Sequence, residues 1–178
     1  MSHRRVPLIL LTALVLSLAS VPAATADQTA ISQASITLVG GGLSITAPAD
    51  AGSIASRSNE VGAITVSGQL GLVQVTDSRG APPGSGWTAT AISTAFTPPS
   101  GPAIGAASVG YTVGTIDKTG TATYAANDPV NLTGVSPVVT ATGVTGDNSA
   151  SWNPTISIAI GAGMAAGVYA GSITHSVS

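Results

Sequence analysis

Cysteine is absent from this chain, so neither a disulfide, a thiolate metal site nor a Cys–His nucleophile pair is open to it. Charge is scarce as well, at 7% of residues. Beyond residue 26 only Arg57, Arg79 and Lys118 oppose seven acids, a formal net charge of −4 for that part of the chain. A nucleic-acid partner requires clustered Lys and Arg to displace counterions, and three scattered cations exclude it; attraction to anionic lipid fails for the same reason. Long apolar runs are missing too. The best, residues 8–18, is broken by Thr12 and Ser17 and falls short of the roughly 20 residues that span a bilayer, so no stable membrane span is expected.

That run has a different use. Arg4 and Arg5 precede it and the small residues Ala24-Thr25-Ala26 follow it, the arrangement of a secretory signal peptide. Cleavage after Ala26 is expected, leaving residues 27–178 as one secreted, extracellular domain. Such a length suits a single core that buries roughly two thirds of the unfolded chain's surface. Without cysteine, stability after export rests on sheet pairing and packing.

What the chain does have is a period of two. Residues 35–39, 43–46, 63–66 and 72–76 are short β-branched segments, mostly alternating with hydroxyls. The pattern resumes at 87–96, 109–116, 119–124, 129–132, 138–142, 155–160 and 168–177. Turn signals punctuate it: Gly40-Gly41-Gly42, Ser78-Arg79-Gly80 running into Pro82-Pro83-Gly84, residues 97–102, and Gly146-Asp147-Asn148. The expectation is an all-β fold, an antiparallel β-sandwich or sandwich-like barrel. No helix is expected after the leader, since the nearest candidate, 162–166, is short and flanked by glycines.

Chemistry is poorly supplied. After residue 26 the only histidine is His175, no ligand cluster has metal spacing, and no Gly-x-Ser-x-Gly elbow leads into a helix. Neither a cofactor, a metal nor an enzymatic activity is expected. His175 shares one strand face with Tyr169, Gly171, Ile173 and Val177 and reads as a packing residue. Asp77 and Arg79, two apart among turn residues, read as a structural turn pair. The aromatics number six: Trp87, Phe96, Tyr111, Tyr124, Trp152 and Tyr169. So scarce a supply makes Trp87 either a core anchor or a contact residue. Trp152, between the 146–148 turn and Pro154, is placed near a sheet edge as a second contact candidate.

Three stretches together resemble the WxL domain, a surface module of Gram-positive bacteria. They are Leu72-Val73-Gln74-Val75-Thr76-Asp77-Ser78-Arg79-Gly80, then Gly86-Trp87-Thr88-Ala89-Thr90-Ala91, and Gly167-Val168-Tyr169-Ala170-Gly171-Ser172-Ile173-Thr174-His175-Ser176-Val177. Ala89 stands at the first motif leucine, and His175 and Val177 at the second tryptophan and leucine, which makes this a divergent branch; its Ala/Gly/Thr-rich character is similar to actinobacterial secreted proteins. The resemblance implies non-covalent attachment to the cell wall, with peptidoglycan or another surface protein as partner. Trp87, Ala89, Trp152, His175 and Val177 are then the candidate surface-binding residues. With the sequence stopping at Ser178, one residue after the last motif position, covalent sorting to the wall is not expected. The chief alternative is a structural subunit that self-associates by β-strand addition, its early Ser/Thr/Val segment up to Val39 filling a neighbour's sheet edge.

Overall fold

Val73, Val75 and Asp77 are buried while Gln74 and Thr76 between them are exposed, the alternation of a strand with one face on a core. The computed structural model describes residues 33–58 and 62–178; the expected leader, its cleavage site and residues 27–32 lie outside them. Residues 37–178 form one unit. Its strands are β1 (Leu43–Thr46), β2 (Ile64–Gln69), β3 (Val73–Ser93), β4 (Val109–Thr112), β5 (Ile116–Ala126), β6 (Ser136–Trp152), β7 (Thr155–Ile160) and β8 (Ile173–Val177). A three-residue 3-10 turn, Ala106–Ser108, precedes β4.

Two antiparallel sheets pack together, as the period-two pattern implies. One runs β1-β3-β6-β5, with β8 also on β3; the other runs β2-β7-β4. β1 pairs residues 74–77 of β3 and β8 pairs residues 89–93, so these two short strands share one side of a single long one. Val73, Val75, Val109, Val138, Val144, Trp152 and Ile156 belong to one buried apolar cluster. Between Trp152 and Thr155 the chain passes from one sheet to the other through Asn153-Pro154.

Several expected boundaries move. Residues 78–84 and 146–148 are not turns between strands but irregularities within β3 and β6. Register slips between Asp77 and Ala81 and again between Ala81 and Ser85, each time with two extra residues on β3. Gly80 supplies φ +61 at the first slip, a conformation that a side chain disfavours, and Ala81 pairs Gly146, itself at φ +68. Turn-type residues thus bend long strands here. Residues 35–39, 129–132 and 168–172 form no strand. The second of these still serves the sheet: Pro129 accepts from the Tyr111 N–H at 3.0 Å and the Asp128 carboxylate from the Val113 N–H at 2.8 Å, covering the edge beyond β4.

Candidate functional site

The slip after Asp77 is shaped by its own side chains. Asp77 is buried, and its Oδ1 accepts from the Arg79 backbone N–H at 3.1 Å, closing a local turn. The Arg79 guanidinium grips the same carboxylate with two bonds, Nε to Oδ1 at 2.8 Å and Nη2 to Oδ2 at 2.9 Å, and reaches the Gly86 carbonyl at 3.1 Å. These bonds hold the Asp77 carboxyl below its ordinary 3.8 and Arg79 above its own value. From β6, Asn148 donates its amide to Asp77 Oδ2 at 3.1 Å and accepts from the Trp87 indole at 2.9 Å and from the Tyr124 hydroxyl at 3.2 Å. The Trp87 and Tyr124 rings lie tilted, 5.7 Å apart. Asp77, Arg79 and Trp87 therefore form one structural network with two residues the motifs do not contain, Asn148 and Tyr124.

The remaining motif residues lie further along β3 and on its neighbour β8. Ala89 faces Val177 and Ala91 faces His175 in the β3–β8 ladder. The two motif segments, far apart in sequence, are neighbours in the sheet. His175 is half-buried, as its strand face implied, and its Nε2 lies 3.0 Å from the Tyr111 hydroxyl of the other sheet. That hydroxyl accepts from the Trp152 indole at 2.8 Å. Burial pushes the Tyr111 pKa up and the His175 pKa down. His175 Nδ1 is buried with no hydrogen-bond partner among the described residues.

Exposure corrects the contact residues expected above. Trp87 is 3% exposed, Ala89 0% and Trp152 1%, so none of them presents a face to a ligand. Val177 and His175 are half-buried. The cause is the shortage of other large side chains: both indoles are spent filling the interior, and each nitrogen finds a buried acceptor, as a buried Trp requires. Trp152 was placed near a sheet edge; it ends β6, but beneath the surface.

What does open to solvent lies just above Trp152. A cleft of about 380 Å³ sits where β2, β4–β5 and β6–β7 meet, lined by Gln69, Leu72, Thr115, Asp117, Asn153 and Thr155 with Trp152 as its floor. Its walls are pinned. Asn153 Oδ1 accepts from the Gly71 N–H at 3.0 Å, and the Leu70 N–H donates to the Pro154 carbonyl at 2.9 Å. Gly71 takes φ +102, and a Cβ there would meet Pro48 Cγ at 2.6 Å. Leu72 stands 58% exposed at the rim. The sequence signal for this site was the Trp152-Asn153-Pro154 corner, which was read for its indole and not for its amide.

No family model, curated protein or solved structure matches this chain. Among the described residues no cluster of three potential metal ligands occurs, and no helix is long and apolar enough to cross a membrane.

Proposed function

We propose that this protein is a secreted, non-enzymatic surface module of the WxL kind, associating non-covalently with cell-wall polymer through the Gln69–Asn153 cleft. The observation that carries the reading is the chemistry of that cleft: amides, hydroxyls, one exposed carboxylate and one exposed leucine on a pinned backbone. Such walls match the hydroxyl and N-acetyl groups of a neutral glycan and its apolar ring faces. The cleft holds one carboxyl and no histidine, so no carboxyl pair of the glycosidase kind meets there. The adjacency of the two motif segments, with Ala89 opposite Val177, supports the WxL resemblance as a shared scaffold.

The test is co-sedimentation of the exported protein with purified Gram-positive cell walls. The parent is expected in the pellet, and Gln69→Ala combined with Leu72→Ala is expected to weaken binding about tenfold, the effect of about 1.4 kcal/mol, while remaining folded. Trp87→Ala is expected to lower stability and leave the affinity of the folded fraction unchanged. A parent that stays in the supernatant at all wall concentrations overturns the reading.

A further inference from the structure

Residues 35–39 read as a strand in sequence, Ser-Ile-Thr-Leu-Val, yet they pair with no strand among the described residues. Ile36, Leu38 and Val39 are 92%, 91% and 85% exposed. Ile36 and Leu38 share one face of this segment and Val39 extends the apolar stretch, and soluble chains seldom leave such a run in water without a use for it. Immediately after them come Gly40-Gly41-Gly42, a joint without side chains, held to the β3 irregularity by the Gly41 N–H to the Ser78 carbonyl at 2.6 Å and the Ser78 N–H to the Gly42 carbonyl at 2.9 Å. A Cβ on Gly40 would run into the Arg79 carbonyl. The joint is thus anchored beside β1, and the apolar segment projects from it.

At the opposite end of the same sheet, β5 is the last strand in the order. It is eleven residues long and, among the described residues, pairs only with β6. Edge strands are ordinarily guarded by charge, proline or irregularity. β5 carries such guards up to Thr123, in Asp117, Lys118, the slip around Gly120, which takes φ +88, and a second slip between Thr121 and Thr123; from Thr123 to Ala126 its pairing is regular. From Thr121 to Ala126 the edge carries neither charge nor proline. Along this half, Ala122 and Tyr124 are half-buried against the core while Thr121, Thr123 and Ala125 face water. A strand added here with Ile36 and Leu38 on the inner side would continue that apolar face, and its backbone would satisfy the open edge.

We propose that residues 35–39 are a donor strand for the free edge of β5 in a second copy of this chain. Donor and acceptor lie at opposite edges of one sheet, β1 side and β5 side, so the contact is heterologous. It does not close between two copies, and it joins them head to tail into a row. The inference does not depend on wall binding, although a row of copies would present the cleft repeatedly to a polymer.

The absence of native cysteine makes the contact directly testable by disulfide trapping. The full chain, expressed with its leader and purified as the cell releases it, is made as Thr37→Cys and as Thr123→Cys, the two residues that share the outer face once Ile36 and Leu38 point inward. Oxidising a mixture of the two is expected to give about ten times more cross-linked dimer than oxidising either alone, a preference of about 1.4 kcal/mol. Ile36→Asp in the Thr37→Cys chain, with unchanged circular dichroism, is expected to abolish the trap. Light scattering of the parent should show mass rising with concentration. Cross-linking of Thr37→Cys with itself to the same yield would point to a symmetric arm-to-arm contact and overturn the assignment of β5. A parent that remains monomeric at every concentration, with no mixed cross-link, overturns the proposal altogether.

Discussion

Trp87 and Trp152 are both dry, yet the groups their indole nitrogens meet belong to different levels of the architecture. Trp87 donates to Asn148 within one sheet, where β3, β6 and β5 are already tied by their backbone ladders. Trp152 donates to Tyr111 across the two sheets, and Tyr111 in turn meets His175. Inside a sheet the ladder sets the geometry, and side-chain bonds are left to define the shape of an irregularity. Between sheets there is no continuous ladder, so side-chain bonds such as that from Trp152 to Tyr111 carry much more of how the layers sit. The first network contains a buried carboxylate with each oxygen bonded; the second contains no full charge and leaves one ring nitrogen unpartnered.

The difference predicts unequal costs. Arg79→Met strips the guanidinium from a carboxylate that remains buried among Trp87, Asn148 and the backbone. A fully buried pair broken this way loses roughly 3–5 kcal/mol; the Arg79 side chain is 37% exposed, and water screening reduces the expected loss to about 2–3 kcal/mol. Urea unfolding measures it. A loss below about 0.5 kcal/mol, the range of an ordinary surface change, would mean that the network does not shape the fold. Tyr111→Phe is expected to cost less, about 1–2 kcal/mol, because it strands the Trp152 N–H without adding a charge. The two networks share no residue, so the double variant should show the sum of the single losses to within about 0.5 kcal/mol.

Much of the sheet architecture was legible because alternation survives wherever one face is buried. Val73, Val75, Ile156 and Ile158 kept the period that identified β3 and β7. Illegible were the irregularities. Ser78-Arg79-Gly80, Pro82-Pro83-Gly84 and Gly146-Asp147-Asn148 have the composition of hairpin turns, and only long-range pairing between β3 and β6 turns them into bends of continuous strands. Asn148 is hidden in the same way, since a turn asparagine and a buried asparagine bonded to three side chains are identical in sequence. Alternation and turn residues leave Trp87 open between core and contact and put Trp152 near an edge, whereas volume decides both: six aromatics leave none to spare. Residues 35–39 carry the opposite lesson, a strand pattern whose partner lies outside the chain's own fold if the trapping experiment succeeds.

The smallest effect expected is also the one that separates the networks by pH. Burial depresses the His175 pKa below the usual 6.5, so the unfolded chain takes up that proton first. The contribution of neutral His175 is complete above pH 6.5 and is lost as the pH falls through its lowered native value. The chemistry agrees with the sign. A Tyr111 hydroxyl that accepts from Trp152 has its own proton to give, and a protonated Nε2 cannot receive it. Asp77 is held below 3.8, mainly by its hydrogen bonds from Arg79, so its contribution is complete above that pH and is lost only in stronger acid. Thermal unfolding of the protein across this range should therefore decline in two steps, the upper from between the sheets and the lower from within one. Beyond residue 26 His175 is the only histidine, so His175→Gln should erase the upper step and leave the lower in place. Survival of the upper step in that variant would assign it to a group other than the inter-sheet imidazole, and the contrast between the two tryptophan networks would then rest on hydrogen bonding alone.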